Sequence, residues 1–244
     1  MDNKTVSPED RAHGLMERKP PGKGRADDGV LLGEGVCTCP IRIFDEKEMQ
    51  KTISNQDIVR QFRELFRKNG AVESPDEPWF READPMKMLC LTDLYGTYSR
   101  DSSVYLNDEL RSIRGCMAPA EMIIFYRYYE PCNLPDTRAG VTLLDLDGIR
   151  AENSSGAPGG ILIRYRLITF ATTIGGMAVC VDLNHRIPNV VLVDDSGCYS
   201  ADCVKSYRDV KKLSHPVARN FTTFLQRLSK DQYDDLEDTV FGDD

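Results

Sequence analysis

The chain has few of the side chains that usually announce a catalytic centre. Among 244 residues there are three histidines and one tryptophan. None of the patterns HExxH, GxSxG or GxGxxG occurs, so the signatures of zinc proteases, hydrolase elbows and dinucleotide-binding turns are missing. No cysteine pair has the two-residue spacing of a zinc knuckle, and neither a metal nor a cofactor is expected. A surplus of basic charge is also absent: 31 Lys and Arg stand against 39 Asp and Glu, a formal charge of −8. That balance argues against nucleic acid as a partner, since phosphate contacts need clustered cations. Long apolar runs are lacking too. The first thirty residues hold no apolar stretch of seven, so no signal peptide is expected. The most apolar segment, GGILIRYRLITFATTIGGMAVCVDL, is broken by Arg164, Arg166 and paired glycines, short of the roughly 18 apolar residues a membrane span needs. No membrane association and a cytoplasmic location are expected.

What is present is an ordinary globular composition, 41% hydrophobic and 29% charged with 18 Gly and 13 Pro. A chain of this size buries roughly 70% of its unfolded surface. Eight cysteines (Cys37, Cys39, Cys90, Cys116, Cys132, Cys180, Cys198, Cys203) are an even number, but without a secretory signal free thiols are expected. Residues 1–40, including KPPGKGRADDG, have no periodic apolar face and are expected to form a flexible leader. At the other end DQYDDLEDTVFGDD, residues 231–244, carries seven acidic and no basic residues and is expected to be a disordered, solvated tail. The rest of the chain is therefore close to neutral. A single domain over 41–230 remains.

Within that domain, SNQDIVRQFRELFRKNG predicts a helix with Ser54 and Asp57 at capping-box spacing, Ile58, Phe62, Leu65 and Phe66 on one face, and Gly70 as its stop. A second helix is expected over Leu106–Arg114, and a third from Pro119 through AEMIIFYRYYE to a stop before Pro131. ILIRYRLITFA, MAVCVDL and NVVLVDD read as strands that pair, the first with Arg164 and Arg166 on one face. VARNFTTFLQRL reads as a closing helix behind Ser214 and Pro216, with Val217, Phe221, Phe224, Leu225 and Leu228 on its apolar stripe. Helices, then consecutive strands, then one helix predict an α+β fold with a mainly antiparallel sheet. Gly175 and Gly176 are expected to form the turn between two strands, where positive φ angles arise.

Two blocks, MAPAEMIIFYRYYE...AGVTLLDLDGI and LITFATTIGGMAVCVDLNHRIPNVVLVDDSG followed by VARNFTTFLQRL, resemble the SUKH superfamily of Smi/Knr-like domains. The resemblance covers roughly 105–230. The chain departs from the family pattern at Met177, which is commonly acidic, and in the long loop RAENSSGAPGG. The resemblance implies a non-enzymatic partner-binding module. Bacterial members are immunity proteins that neutralise toxins, fungal members are signalling scaffolds, and herpesviral members of the US-twenty-two type counter host defences. It implies a protein partner (an effector, toxin or host-defence factor) and, for a viral member, residence in the host cytoplasm or nucleus.

From the residues themselves, Asp145, Asp147, Asp182, Asp194 and Asp195 fall at predicted strand ends and turns, where they would form one negative edge facing a basic partner. The plainer reading is that turns select Asp for its local hydrogen bonds. Phe125, Tyr126, Tyr128 and Tyr129 beside Arg127 cannot all face a core. Tyr126 and Tyr129 are therefore candidate partner contacts. One alternative is a cysteine-dependent enzyme built on Cys198 or Cys203 with His185 and Asp194. Another is a nucleic-acid binder working through Arg11, Arg18, Lys19, Lys23 and Arg25 in the leader. The glycine-rich segment from Gly156 to Gly160 is expected to be a mobile loop, with no helix starting behind it to organise a phosphate site.

Overall fold

Ile58, Phe62 and Phe66 recur along one stripe of the first helix, α1 (Glu46–Lys68), and all three are buried. The helix starts eight residues before the expected cap at Ser54, because EKEMQKT is built of good helix formers that carry it through that position. The computed structural model describes residues 46–101, 109–194 and 204–241, all within a unit spanning Ile43–Asp244. The expected leader, 1–40, lies outside the described residues.

After α1 come the short strand β1 (Phe80–Arg81), α2 (Leu89–Thr92) and α3 (Leu94–Asp101). The helix expected over 106–114 is, in its described part, a single 3-10 turn at Arg111–Ile113 with Leu110 and Ile113 buried. Next is α4 (Ala120–Tyr128), with Pro119 at its N-cap and Tyr129 at its C-cap. It runs into β2 (Glu130–Pro131), which pairs antiparallel with β1. β3 (Val141–Leu143) leads to α5 (Leu146–Ser155) and α6 (Gly159–Leu162).

The expected strand from Ile161 is overturned in its first half. Residues 159–165 are α6 and a 3-10 turn, Arg166 sits at φ 68°, and only then does β4 (Leu167–Thr173) begin. The mobile-loop expectation for 156–160 fails for the same reason. Gly159 packs so closely on α5 that a Cβ there would lie 2.8 Å from the Glu152 carbonyl oxygen, and residues 158–160 are buried. Glycine is needed here for approach rather than for motion.

The expected hairpins form. β4, β5 (Ala178–Asp182) and β6 (Asn189–Val193) pair antiparallel in sequence order. The turn between β4 and β5 is closed by the Gly176 N–H donating to the Thr173 carbonyl, 3.0 Å, with Gly176 at φ 92°. α7 (Tyr207–Lys212) and β7 (Ser214–Ala218) follow, so SHPVA is a fifth strand and not the start of the closing helix, and Val217 belongs to the sheet. α8 (Phe221–Ser229) starts later, capped by the Asn220 carboxamide accepting from Thr223 N, 2.8 Å. The full sheet order is β3-β4-β5-β6-β7, antiparallel throughout. The structure is of the α+β class, with helix α8 closing the sheet.

One face of this sheet carries Ile168, Phe170, Val179, Val181, Val190 and Leu192, which share one core with buried residues of α1, α4 and α8; α1 packs on α4 and α8. The other carries Leu167, Ala178, Cys180, Val191 and Val193, covered by Ile161, Leu162, Val204 and Val210. A strand covered on both sides reads as a continuous apolar run, which explains AVCV and NVVLV. Asn153, fully buried on α5, ties that helix to a bulge in β4. Its carboxamide donates to the Ile149 and Thr169 carbonyls at 2.8 Å and accepts from Thr169 N at 3.0 Å.

The acidic C-terminal stretch is not a solvated tail over its described part. α9 (Leu236–Phe241) follows a turn in which Tyr233 is buried, and Leu236 is buried in the main core. The ordered domain therefore extends past 230. Among the described residues of this segment Tyr233 and Leu236 are buried and Val240 packs against the same core, while Asp235 and Glu237 accept from backbone amides and Asp234 pairs with Arg138.

Candidate functional site

The acids expected to share one negative edge are dispersed by the topology. Consecutive antiparallel strands put successive strand ends on opposite sides, and Asp182 pairs with Asn189 while Val193, just before Asp194, pairs with Ala178. Asp182 and Asp194 thus lie at opposite ends of the β5–β6 hairpin. Asp182 is also buried, its carboxylate accepting from the Tyr207 hydroxyl at 2.6 Å and from Asn184 N and Nδ2 at 2.9 and 2.8 Å. Desolvation, with this bond second, raises the Tyr207 hydroxyl above its ordinary pKa. Asp194 is half-buried, and Asp195 lies outside the described residues. Asp145 caps α5 by accepting from Gly148 N, 2.7 Å. These acids are mostly turn and cap residues.

Tyr126 is corrected in the same way. It is buried, and its hydroxyl donates to the Leu144 carbonyl at 2.9 Å, a core anchor between α4 and the sheet that no partner reaches. Tyr129 is half-buried against Phe125 and Tyr128, with ring centroids 6.1 and 6.5 Å away. The turn residues Gly175 and Gly176 stand between β4 and β5, and the Gly175 N–H donates to the Glu237 carboxylate at 2.9 Å.

The cysteine triad does not assemble around Asp194. His185 sits in the β5–β6 turn, its Nε2 3.3 Å from Asp182 Oδ2 and 3.4 Å from the Tyr207 oxygen, a strand length away from Asp194. Cys198 and Cys203 lie outside the described residues, as do Cys37 and Cys39. Four free thiols are described, Cys90, Cys116, Cys132 and Cys180. Burial pushes the Cys90 thiol up to about 12 and raises that of Cys132, opposite to the direction that activates a nucleophile. Cys90 is therefore expected to alkylate with iodoacetamide at pH 8 at least tenfold more slowly than the half-buried Cys116 in a mass-spectrometric time course. Equal rates would show that the Cys90 site is open. Among the described residues no group of three or more His, Cys, Asp or Glu is placed to hold a metal ion, and no helix is long and apolar enough to cross a membrane.

A recess lies elsewhere, where α2, α3 and α5 meet. It is an open cleft of about 300 Å³ lined by Met86, Lys87, Leu89 and Cys90 from the α2 segment, Gly96, Thr97 and Arg100 from α3, and Asp147 and Arg150 from α5. Each wall has a local reason. The Asp93 carboxylate accepts from Gly96 N, 2.9 Å, at the start of α3, and the Tyr98 hydroxyl donates to the Cys90 carbonyl, 3.2 Å, tying α3 to α2. On α5, Asp147 and Arg150 are three residues apart and so share a face. That helix is fixed at its N-terminus by Glu130, 1% exposed, whose two oxygens accept from Leu146 N at 3.0 Å and from Arg81 Nε at 2.9 Å. A carboxylate at a helix N-terminus satisfies an otherwise unpaired N–H and meets the positive end of the dipole.

The cleft is two-natured. Met86 and Leu89 stand on its lip 71% and 38% exposed, although Met88 and Leu91 of the same segment are buried. Lys87, Arg100, Asp147 and Arg150 contribute charged groups to its lining, and Asp147 accepts a hydrogen bond from Lys87. No sequence pattern pointed here: Lys87 and Asp147 are 60 residues apart and Arg81 and Glu130 are 49 apart. The one signal that could have pointed here is the methionine-rich segment MKMLCL, whose first three residues precede the four-residue α2.

No family model, no curated protein and no solved structure matches the chain.

Proposed function

We propose that this protein is a non-enzymatic interaction module that binds and neutralises or redirects a partner protein, of the kind the SUKH resemblance implies. The observation that carries the reading is the α2–α3–α5 cleft, with Met86 and Leu89 presented to solvent at its mouth. Flexible, polarizable methionine beside an aliphatic side chain at a recess is characteristic of surfaces that accept other proteins. The raised Cys90 and Cys132 thiols further support binding over thiol chemistry. At the β7 edge of the sheet, strand addition is disfavoured. Pro216 has no N–H to offer along β7, and the Val217 carbonyl is taken by Arg227 Nη1 and the Tyr233 hydroxyl at 3.3 and 3.2 Å.

The test is capture from extracts of cells that express the protein, using the full chain, Met86→Asp/Leu89→Asp, and Val72→Asp as a control on an apolar residue 87% exposed elsewhere. The expected result is a specific protein held by the wild type and the Val72 variant and weakened at least tenfold by the cleft pair, since a central apolar anchor is worth about 2 kcal/mol or more. Capture that does not depend on Met86 and Leu89 would overturn the assignment.

A further inference from the structure

We infer a second binding site, one that takes the phosphate group of a small phosphomonoester, in the recess between the β5–β6 turn and the β7–α8 junction. The recess encloses about 530 Å³ and is lined by His185, Ile187, Asn189, Arg219 and Asn220. It shares no residue with the α2–α3–α5 cleft. The site goes beyond the interaction reading and does not rest on it.

Strand register brings these residues together. Asp182 pairs with Asn189 across the β5–β6 hairpin and Val190 pairs with Ala218, so Arg219 leaves β7 beside the start of β6. The turn is ordered from below: the buried Asp182 carboxylate accepts from Asn184 N at 2.9 Å and lies 3.3 Å from His185 Nε2. The imidazole is thus held by one nitrogen, and Nδ1 has no partner among the described residues. Arg219 Nε donates to Thr223 Oγ1 at 3.1 Å, which anchors the guanidinium and leaves both Nη groups over.

Two observations call for an anionic ligand with several acceptor oxygens. Arg219 and Arg186, both exposed, make no ion pair among the described residues. The carboxylates bonded to this region are engaged and do not line the recess: Asp182 also accepts from the Tyr207 hydroxyl, and Glu121 accepts from Phe221 N and Thr222 Oγ1 at 2.9 and 3.0 Å. The second observation is Asn189, whose carboxamide oxygen is buried with no hydrogen-bond partner. Buried polar groups are nearly always paired, so an orphan in the wall of a recess is one that a ligand satisfies. The terminal torsion of Asn is broad, and either end of the amide can turn to the ligand.

Phosphate fits this set better than carboxylate. A phosphomonoester carries a charge of about −1.5 to −2 and three acceptor oxygens, enough for the Arg219 fork, the Asn189 amide and the imidazolium form of His185, with Arg186 balancing the second charge. Two cations are too few to follow a nucleic-acid backbone. The volume falls within the roughly 300–1,000 Å³ of small-molecule sites, and Ile187, 69% exposed, offers the organic part an apolar contact.

Isothermal titration calorimetry of the full chain at constant ionic strength tests the site. The probes are adenosine monophosphate, glycerol phosphate, adenosine, glycerol, inorganic phosphate and citrate. At least one ester should bind about tenfold or more tightly than its unphosphorylated parent and than citrate, and Arg219→Ala should weaken it about tenfold or more, as the loss of a charged hydrogen bond does. Circular dichroism checks the fold; if Arg219→Ala is altered, Arg186→Glu in the exposed turn carries the comparison. Inorganic phosphate binding as tightly as the ester, with the same dependence on Arg219, would keep the phosphate site and overturn the ester. No binding of either ester, equal binding of citrate, or binding indifferent to Arg219→Ala would overturn the site itself. Met86→Asp/Leu89→Asp should bind the ester as the wild type does, so failure of the cleft as a partner surface and failure of this site are read separately.

Discussion

Replacing Glu130 with alanine is expected to lower the unfolding free energy by about 2–4 kcal/mol in denaturant titration. Breaking a buried ion pair generally costs about 3–5 kcal/mol, because the partner left behind is stranded. Here Arg81 is 44% exposed and turns back to water, which reduces the cost; the N–H of Leu146, at the start of α5, has no such escape. Glu130→Gln keeps an acceptor for that N–H and should lie between the wild type and alanine. The effect is not confined to stability. Hydrogen exchange over residues 146–150 should speed up in both variants, because Glu130 holds the end of the helix that carries Asp147 and Arg150. A change under about 0.5 kcal/mol, the range of ordinary surface substitutions, would mean that the network does not hold α5.

Leu236→Ala is expected to destabilise by about 2–5 kcal/mol, the usual range for emptying a fully buried leucine site. Removal of residues 231–244 should do at least as much, since Tyr233 is buried with it and four tethers go at once. These are Leu236 N to the Ala139 carbonyl at 3.0 Å, the Tyr233 hydroxyl to the Val217 carbonyl, Gly175 N to the Glu237 carboxylate, and the exposed Arg138–Asp234 pair. The ion pair adds little, as exposed pairs are worth at most about 1 kcal/mol. Thermal and chemical denaturation of the truncated chain measure this. Unchanged stability would mean the acidic segment is the solvated tail its charge suggests.

These two residues also show where sequence reasoning stops. A buried helix face or strand leaves a periodic trace, so α1's Ile58, Phe62 and Phe66 and the β-branched runs of β5 and β6 were legible in advance, and with them the α+β class. Where the apolar pattern is ambiguous, the reading failed. ILIRY has strand composition, but packing on the far side of the sheet makes it helical, and the glycines before it serve close approach. Pro216 and Ser214 look like helix-start signals, yet they sit in an edge strand, where proline is tolerated on the side facing away from the ladder. Tyr233, Leu236 and Val240 recur at i, i+3 and i+7, a helical stripe that the high charge of the segment outweighed in the reading.

The site was less legible than the fold because it is made of long-range pairs. Asp182 and Tyr126 were singled out for being charged or aromatic, and both proved to be buried hydrogen-bonding anchors. The residues that shape the cleft come from three segments spread over residues 86–150. None belongs to a motif, and their proximity depends on Glu130, whose role is set by partners 16 and 49 residues away.

The most direct measurement of the central claim, that the α2–α3–α5 cleft is the partner surface, is hydrogen–deuterium exchange of the protein alone and in complex with the partner that capture identifies. Protection on binding is expected over residues 86–100 and 146–150, with the β5–β6 turn around His185 and the exposed Val72 unchanged. Protection confined to the β5–β6 turn or the β7 edge, with the cleft exchanging as in the free protein, would contradict it.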